Sequence, residues 1–123
     1  MSDDLVDVLD TNRLETLVDE IGDRDLVRQA VQAFLDEVPM RLRAIRSAVA
    51  AQDHDEVRSA AHALGSPAAM LGAMAVRTET RRLQAAAGEQ DSTEYPGLVD
   101  SVEVATARTE QAMRRYLDSP VSA

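Results

Sequence analysis

The chain has 123 residues, no cysteine and a formal net charge of −9. That length builds one core rather than two. The charge argues against nucleic acid or an anionic membrane as partner, and the missing thiols exclude disulfides and thiolate metal sites and suit a cytoplasmic location.

No stretch has the apolar length of a membrane span, and the acidic start is unlike a signal peptide. Alanine is abundant, and alternating Val/Ile/Thr runs are absent, which points to helices. With one Phe, two Tyr and no Trp, the core must be built from Leu, Val, Ile, Ala and Met, as in closely packed helices. All 13 basic residues are arginine, which reads as a coding bias.

Met1 to Asp4 should be a loose acidic tail, followed by a short apolar turn of Leu5, Val8 and Leu9. Asp10 or Thr11 can cap a short helix with Leu14, Leu17, Val18 and Ile21 on one face, and Gly22 suits its end. Asp23 caps the next helix, whose stripe runs Leu26, Val27, Ala30, Val31, Phe34. The stripe continues past Pro39 as Leu42, Ile45 and Val49 without a change of phase, which favours one long helix kinked at the proline. Asp53 and Glu56 have capping-box spacing at the start of a third long helix. His54 beside them is expected to face solvent.

That helix runs from His54 toward Leu71, with Val57, Ala60, Ala61, Leu64, Ala68 and Leu71 on one apolar stripe at about 100° per residue. His62 falls opposite the stripe, and around it lie Asp55, Arg58, Ser59, Gly65, Ser66 and Ala69. Most of these are tiny, so the imidazole should stand on a nearly flat pad. Such a pad suits a residue that reaches into a partner, and imidazole nitrogen is nucleophilic near neutral pH. On wheel position alone an ordinary surface histidine is the plainer reading. Pro67 predicts a bend or loosened turn just after His62, and Gly72 closes the helix. A further helix over Ala73 to Ala87 turns Val76, Thr80 and Leu83 inward. After the loop-like run 88–93, Pro96 opens a last helix with Leu98, Val102, Ala105, Thr109, Met113 and Tyr116 at helical spacing. The expected fold is all-α, an antiparallel up-and-down four-helix bundle with a short extra N-terminal helix. A monomer is expected, because four helices can close a core unaided.

No glycine-rich phosphate loop, HExxH pair or GxSxG elbow is present. Two histidines without cysteine make a zinc site an unlikely use of this chain, so no metal site is assigned and no complete enzyme active site is visible. The runs Ala61-His62-Ala63-Leu64 and Met70-Leu71-Gly72-Ala73, in ungapped register, resemble the signature of histidine-containing phosphotransfer (HPt) domains. Phe34-Leu35-Asp36-Glu37-Val38-Pro39 is similar to that family's F-L-x-E-x-P segment, and Leu83-Gln84 to its L-E/Q position. The resemblance covers about residues 10–117 and implies a single domain over 1–123, with 1–9 and 118–123 as tails.

The resemblance implies a phosphorelay intermediate of two-component signalling rather than an enzyme. His62 would accept a phosphoryl group through Nε2 from one receiver aspartate and pass it to another. Partners would be a response-regulator receiver domain or a hybrid histidine kinase. No cofactor of this chain is implied, and Mg2+ is expected on the receiver. Gln84 would support the histidine or its phosphate, and Asp55, Ser59, Gly65, Ser66 and Ala69 would form the docking face.

The family's lysine three residues after the histidine is Gly65 here, and Ser66 and Pro67 replace the next glycine and serine. Arg58, one turn before His62, could supply the missing charge, with Arg77 and Arg81 as more distant candidates. The departures leave two alternatives open. One is a degenerate HPt domain that docks a receiver or kinase without phosphotransfer, and the other is a structural helical adaptor.

Overall fold

The computed structural model describes residues 8–119. The expected acidic tail, Leu5 and residues 120–123 lie outside the described residues. A short helix α1 (Thr11–Ile21) precedes four longer ones: α2 (Arg24–Ala50), α3 (His54–Met70), α4 (Met74–Gly88) and α5 (Tyr95–Asp118), the last entered through a 3-10 turn at Ser92–Glu94. The four long helices form an antiparallel up-and-down bundle. Helix α3 packs most extensively on α4 and next on α2, and α5 closes the ring against α4 and α2.

Local chemistry accounts for the boundaries. Asp10 caps α1 by accepting from the Asn12 and Arg13 amides, and Gly22, at φ 77, ends it. Asp23 caps α2 through the Asp25 and Leu26 amides. Asp53 caps α3 by accepting from the Glu56 amide at 3.1 Å. The other half of that capping box is replaced, since the Asp53 amide donates to the Ala48 carbonyl. Helix α2 continues through Pro39, as its unbroken stripe requires. Helix α3 continues through Pro67 to Met70, so the loosened turn expected after His62 does not interrupt it. Pro67 lacks the N–H that would bond the Ala63 carbonyl, but the turn beyond it stays closed, the Leu71 amide donating to the Pro67 carbonyl at 3.1 Å.

The core is aliphatic. Leu14, Val31, Ile45, Val57, Leu64, Val76, Leu83, Val102 and Met113 are buried, each contributing roughly 1.5–3 kcal/mol through removal from water. Three stripe positions depart from expectation: Ala30 is exposed, as are two large residues, Ile21 at 51% and Leu26 at 49%. The two large residues flank the Gly22 turn, where α1 leaves the bundle and touches chiefly α2, so no third helix covers them.

The C-terminal end of α3 is held by the chain that precedes α1. The Asp10 amide donates to the Gly72 carbonyl at 2.8 Å, and Arg13 Nε donates to the Met70 carbonyl at 3.1 Å. Gly72 has φ +79, and a Cβ there would sit 2.6 Å from the Asp10 carbonyl oxygen. Glycine is required twice over, by backbone conformation and by this close approach. Val8 and Leu9 are buried beside the same core.

His54 departs from its expected solvent-facing place. It is half-buried, with Nδ1 2.6 Å from the hydroxyl of Tyr95. Tyr95 is buried, and that burial, followed by the charge of Asp91, raises its phenol above the ordinary value. The pair joins the start of α3 to the start of α5.

Candidate functional site

His62 stands on the exposed side of α3, and its ring makes no hydrogen bond or ion pair among the described residues. It opens onto a solvent-accessible cavity of about 350 Å³ between α3 and α4. One wall is His62, Gly65, Ser66 and Ala69 of α3, and the other is Arg77, Thr80, Arg81 and Gln84 of α4.

Gly65 lets the two walls approach. It is buried, and a Cβ at this position would lie 2.3 Å from Thr80 Oγ1. It therefore serves as a helix-packing contact at the cavity floor, not as part of an open pad. Thr80 is fully buried and donates to the carbonyls of Val76 and Arg77, at 2.9 and 3.1 Å. Its hydroxyl is used within α4.

The residues expected around His62 divide into two groups. Gly65, Ser66, Ala69 and Gln84 line the cavity. Asp55, Arg58 and Ser59 are exposed on α3 but lie outside it. Arg58 forms no ion pair with Asp55 or any other described residue. The positive charge at the cavity comes instead from Arg77 and Arg81, which the sequence reading placed farther away. The i, i+4, i+7 spacing of Arg77, Arg81 and Gln84 was the available signal, since it puts the three on one face of α4. Which face would meet His62 depends on how α4 is rotated against α3, and Val76, Thr80 and Leu83 settle that by burying the adjacent strip of the helix, with Thr80 at the edge it shares with the cavity.

Among the described residues no group of His, Cys, Asp or Glu side chains could hold a metal ion, and no described helix is long and apolar enough to cross a membrane.

The family model for the Hpt domain matches residues 29–118. The chain belongs to the Hpt domain family. The solved structure of histidine-containing phosphotransfer protein B (HptB) from Pseudomonas aeruginosa PAO1 superposes with a TM-score of 0.82, covering 89% of this chain and 94% of that one at 21% identity. At that identity the likeness carries the fold. No curated protein matches the chain. Membership makes the chain a phosphotransfer protein of two-component signalling. Within this Hpt domain the signature histidine is free and faces a basic wall contributed by the neighbouring helix.

Proposed function

We propose that this Hpt domain is a phosphorelay intermediate with His62 as its phosphoryl acceptor. The observation that carries the reading is a signature histidine with no internal partner, opening onto a cavity lined by two arginines. The donor is the aspartyl phosphate of a receiver domain. Nε2 of neutral His62 attacks phosphorus, the N–P bond forms, the acyl O–P bond breaks, and the receiver aspartate leaves as a carboxylate. The imidazole then sheds its extra proton to solvent. The reverse sequence delivers the group to a second receiver.

The chain needs no cofactor for this, because the receiver brings the Mg2+ that offsets charge on the phosphoryl oxygens. What this chain supplies is position: a histidine held on a rigid helix and small neighbours at Ser66 and Ala69 that let a receiver approach. Receiver docking on this α3 face, with a monomeric cytoplasmic protein, completes the reading. The docking-only alternative draws on Gly65, Ser66 and Pro67 standing where the motif has lysine, glycine and serine.

The test is incubation with a phosphorylated receiver and magnesium, followed by detection of acid-labile phosphate. Label on the wild type and none on His62→Ala is expected. A stable receiver complex without label on the wild type would transfer the assignment to the docking-only reading.

A further inference from the structure

We propose that Arg77 and Arg81 form a phosphate-binding wall on α4 that replaces the absent motif lysine of α3, an inference that rests on His62 being the acceptor.

A lysine at position 65 is disfavoured in this packing. Any side chain there would begin 2.3 Å from Thr80 Oγ1, so it would force Thr80 or the helix contact to shift. The positive charge at the cavity comes from another element. Arg77 and Arg81 lie one helical turn apart and line the cavity opposite His62. Like charges at i, i+4 destabilise a helix, and neither arginine has an ion-pair or hydrogen-bond partner for its side chain among the described residues.

In a chain with 22 acidic and 13 basic residues, Arg43, Arg58 and Arg115 are likewise unpaired among the described residues, and what sets Arg77 and Arg81 apart is the cavity they share with His62. The adjacent Arg82 turns to Glu79 at 2.9 Å, Arg41 to Glu37 and Arg114 to Glu110. Two unneutralised guanidinium groups on one rim, with the amide of Gln84 a turn beyond, match an oxyanion. Guanidinium offers planar paired N–H donors to phosphate oxygens, and a primary amide can donate to a third. The phosphoryl group on His62 is thus held across the α3–α4 groove, its nitrogen bond on one wall and its oxygens on the other.

The test is titration of the isotope-labelled protein with inorganic phosphate, read by NMR at the Gln84 side-chain amide. The Arg77→Ala/Arg81→Ala double variant is compared with wild type and with Arg43→Ala as a control for an exposed arginine elsewhere. Alanine favours helix, so the double variant keeps its helical signal. A saturable response is expected in wild type and Arg43→Ala, with phosphate bound about tenfold or more weakly by the double variant, the scale of one or two charge-assisted hydrogen bonds. Equal binding by the double variant, or no saturable response in wild type, overturns the proposal. Phosphate binding that needs both arginines, in a protein whose His62 takes no label from any receiver, would sink the relay reading and keep the wall. Full labelling of a double variant that binds phosphate like wild type would do the reverse.

Discussion

The two histidines of α3 carry the same ring on the same helix and have opposite surroundings. His54 is half-buried, and its Nδ1 is 2.6 Å from the hydroxyl of a buried tyrosine. His62 is exposed, has no partner among the described residues, and faces two arginines across a cavity. A ring nitrogen held against a buried hydroxyl is not presented to a partner, and a ring that closes a helix junction is not spared for chemistry. Reactivity here follows from what competes for the imidazole. One end of α3 fastens the bundle, and the middle presents the exposed imidazole proposed as the phosphoryl acceptor.

Exchanging the two substitutions gives the largest contrast. His62→Ala should abolish phosphorylation while leaving stability within about 0.5 kcal/mol, as for an exposed side chain without contacts. His54→Ala should leave labelling intact and lower stability by about 1–3 kcal/mol, because the Tyr95 hydroxyl is left buried without a partner. Tyr95→Phe should cost less, about 1 kcal/mol, since the half-exposed imidazole can turn to water. Urea unfolding with parallel receiver labelling measures both. Loss of labelling in His54→Ala would erase the division between the two ends of α3.

The next test restores the family lysine. Gly65→Lys places a Cβ 2.3 Å from Thr80 Oγ1 and 3.1 Å from Thr80 Cβ, and overpacking of that kind costs about 1–3 kcal/mol. Replacing a mid-helix glycine returns up to about 1 kcal/mol in helix propensity, so a net loss of about 1–2 kcal/mol is expected. Thr80→Ala removes the nearest atom and should recover most of it in a double-mutant cycle. A Gly65→Lys variant as stable as wild type, with no coupling to Thr80, would mean that the helices separate freely and that this packing does not disfavour a lysine on α3.

Much of this was legible in the chain itself. Helix limits followed from Asp10, Asp23 and Asp53 as caps and from Gly22 and Gly72 as stops, because those signals are local. The exposure of His62 followed from the stripe on its opposite face. What escaped needed a neighbour. Ile21 and Leu26 belong to apolar stripes, yet no element covers them. His54 finds Tyr95 from 41 residues away, and no local pattern encodes that pairing. Gly65 looked like part of an open pad because the wheel of α3 does not show how closely α4 approaches. Arg58 was favoured over Arg77 and Arg81 because it shares a helix with His62, whereas the cavity is lined from across the groove.

The smallest effect concerns alkaline pH, and it isolates the structural end of α3. Burial, and then the charge of Asp91, raises the Tyr95 phenol above its ordinary value, so the folded chain holds that proton more tightly than the unfolded one. The sign follows: stability is unaffected below the unfolded value near about 10 and falls as pH rises through the folded value. The slope for a single proton is at most about 1.4 kcal/mol per pH unit. The chain makes this readable, because with every basic residue an arginine no lysine titrates in the same window, and Tyr116 is the one other phenol. Stability followed by chemical denaturation between about pH 9 and 11 should decline in wild type and stay flatter in Tyr95→Phe. A parallel decline in both would place the sensitivity elsewhere. A decline confined to wild type would show that the hydroxyl bonded to His54 is a proton-dependent fastening, set apart from the histidine proposed as the phosphoryl acceptor.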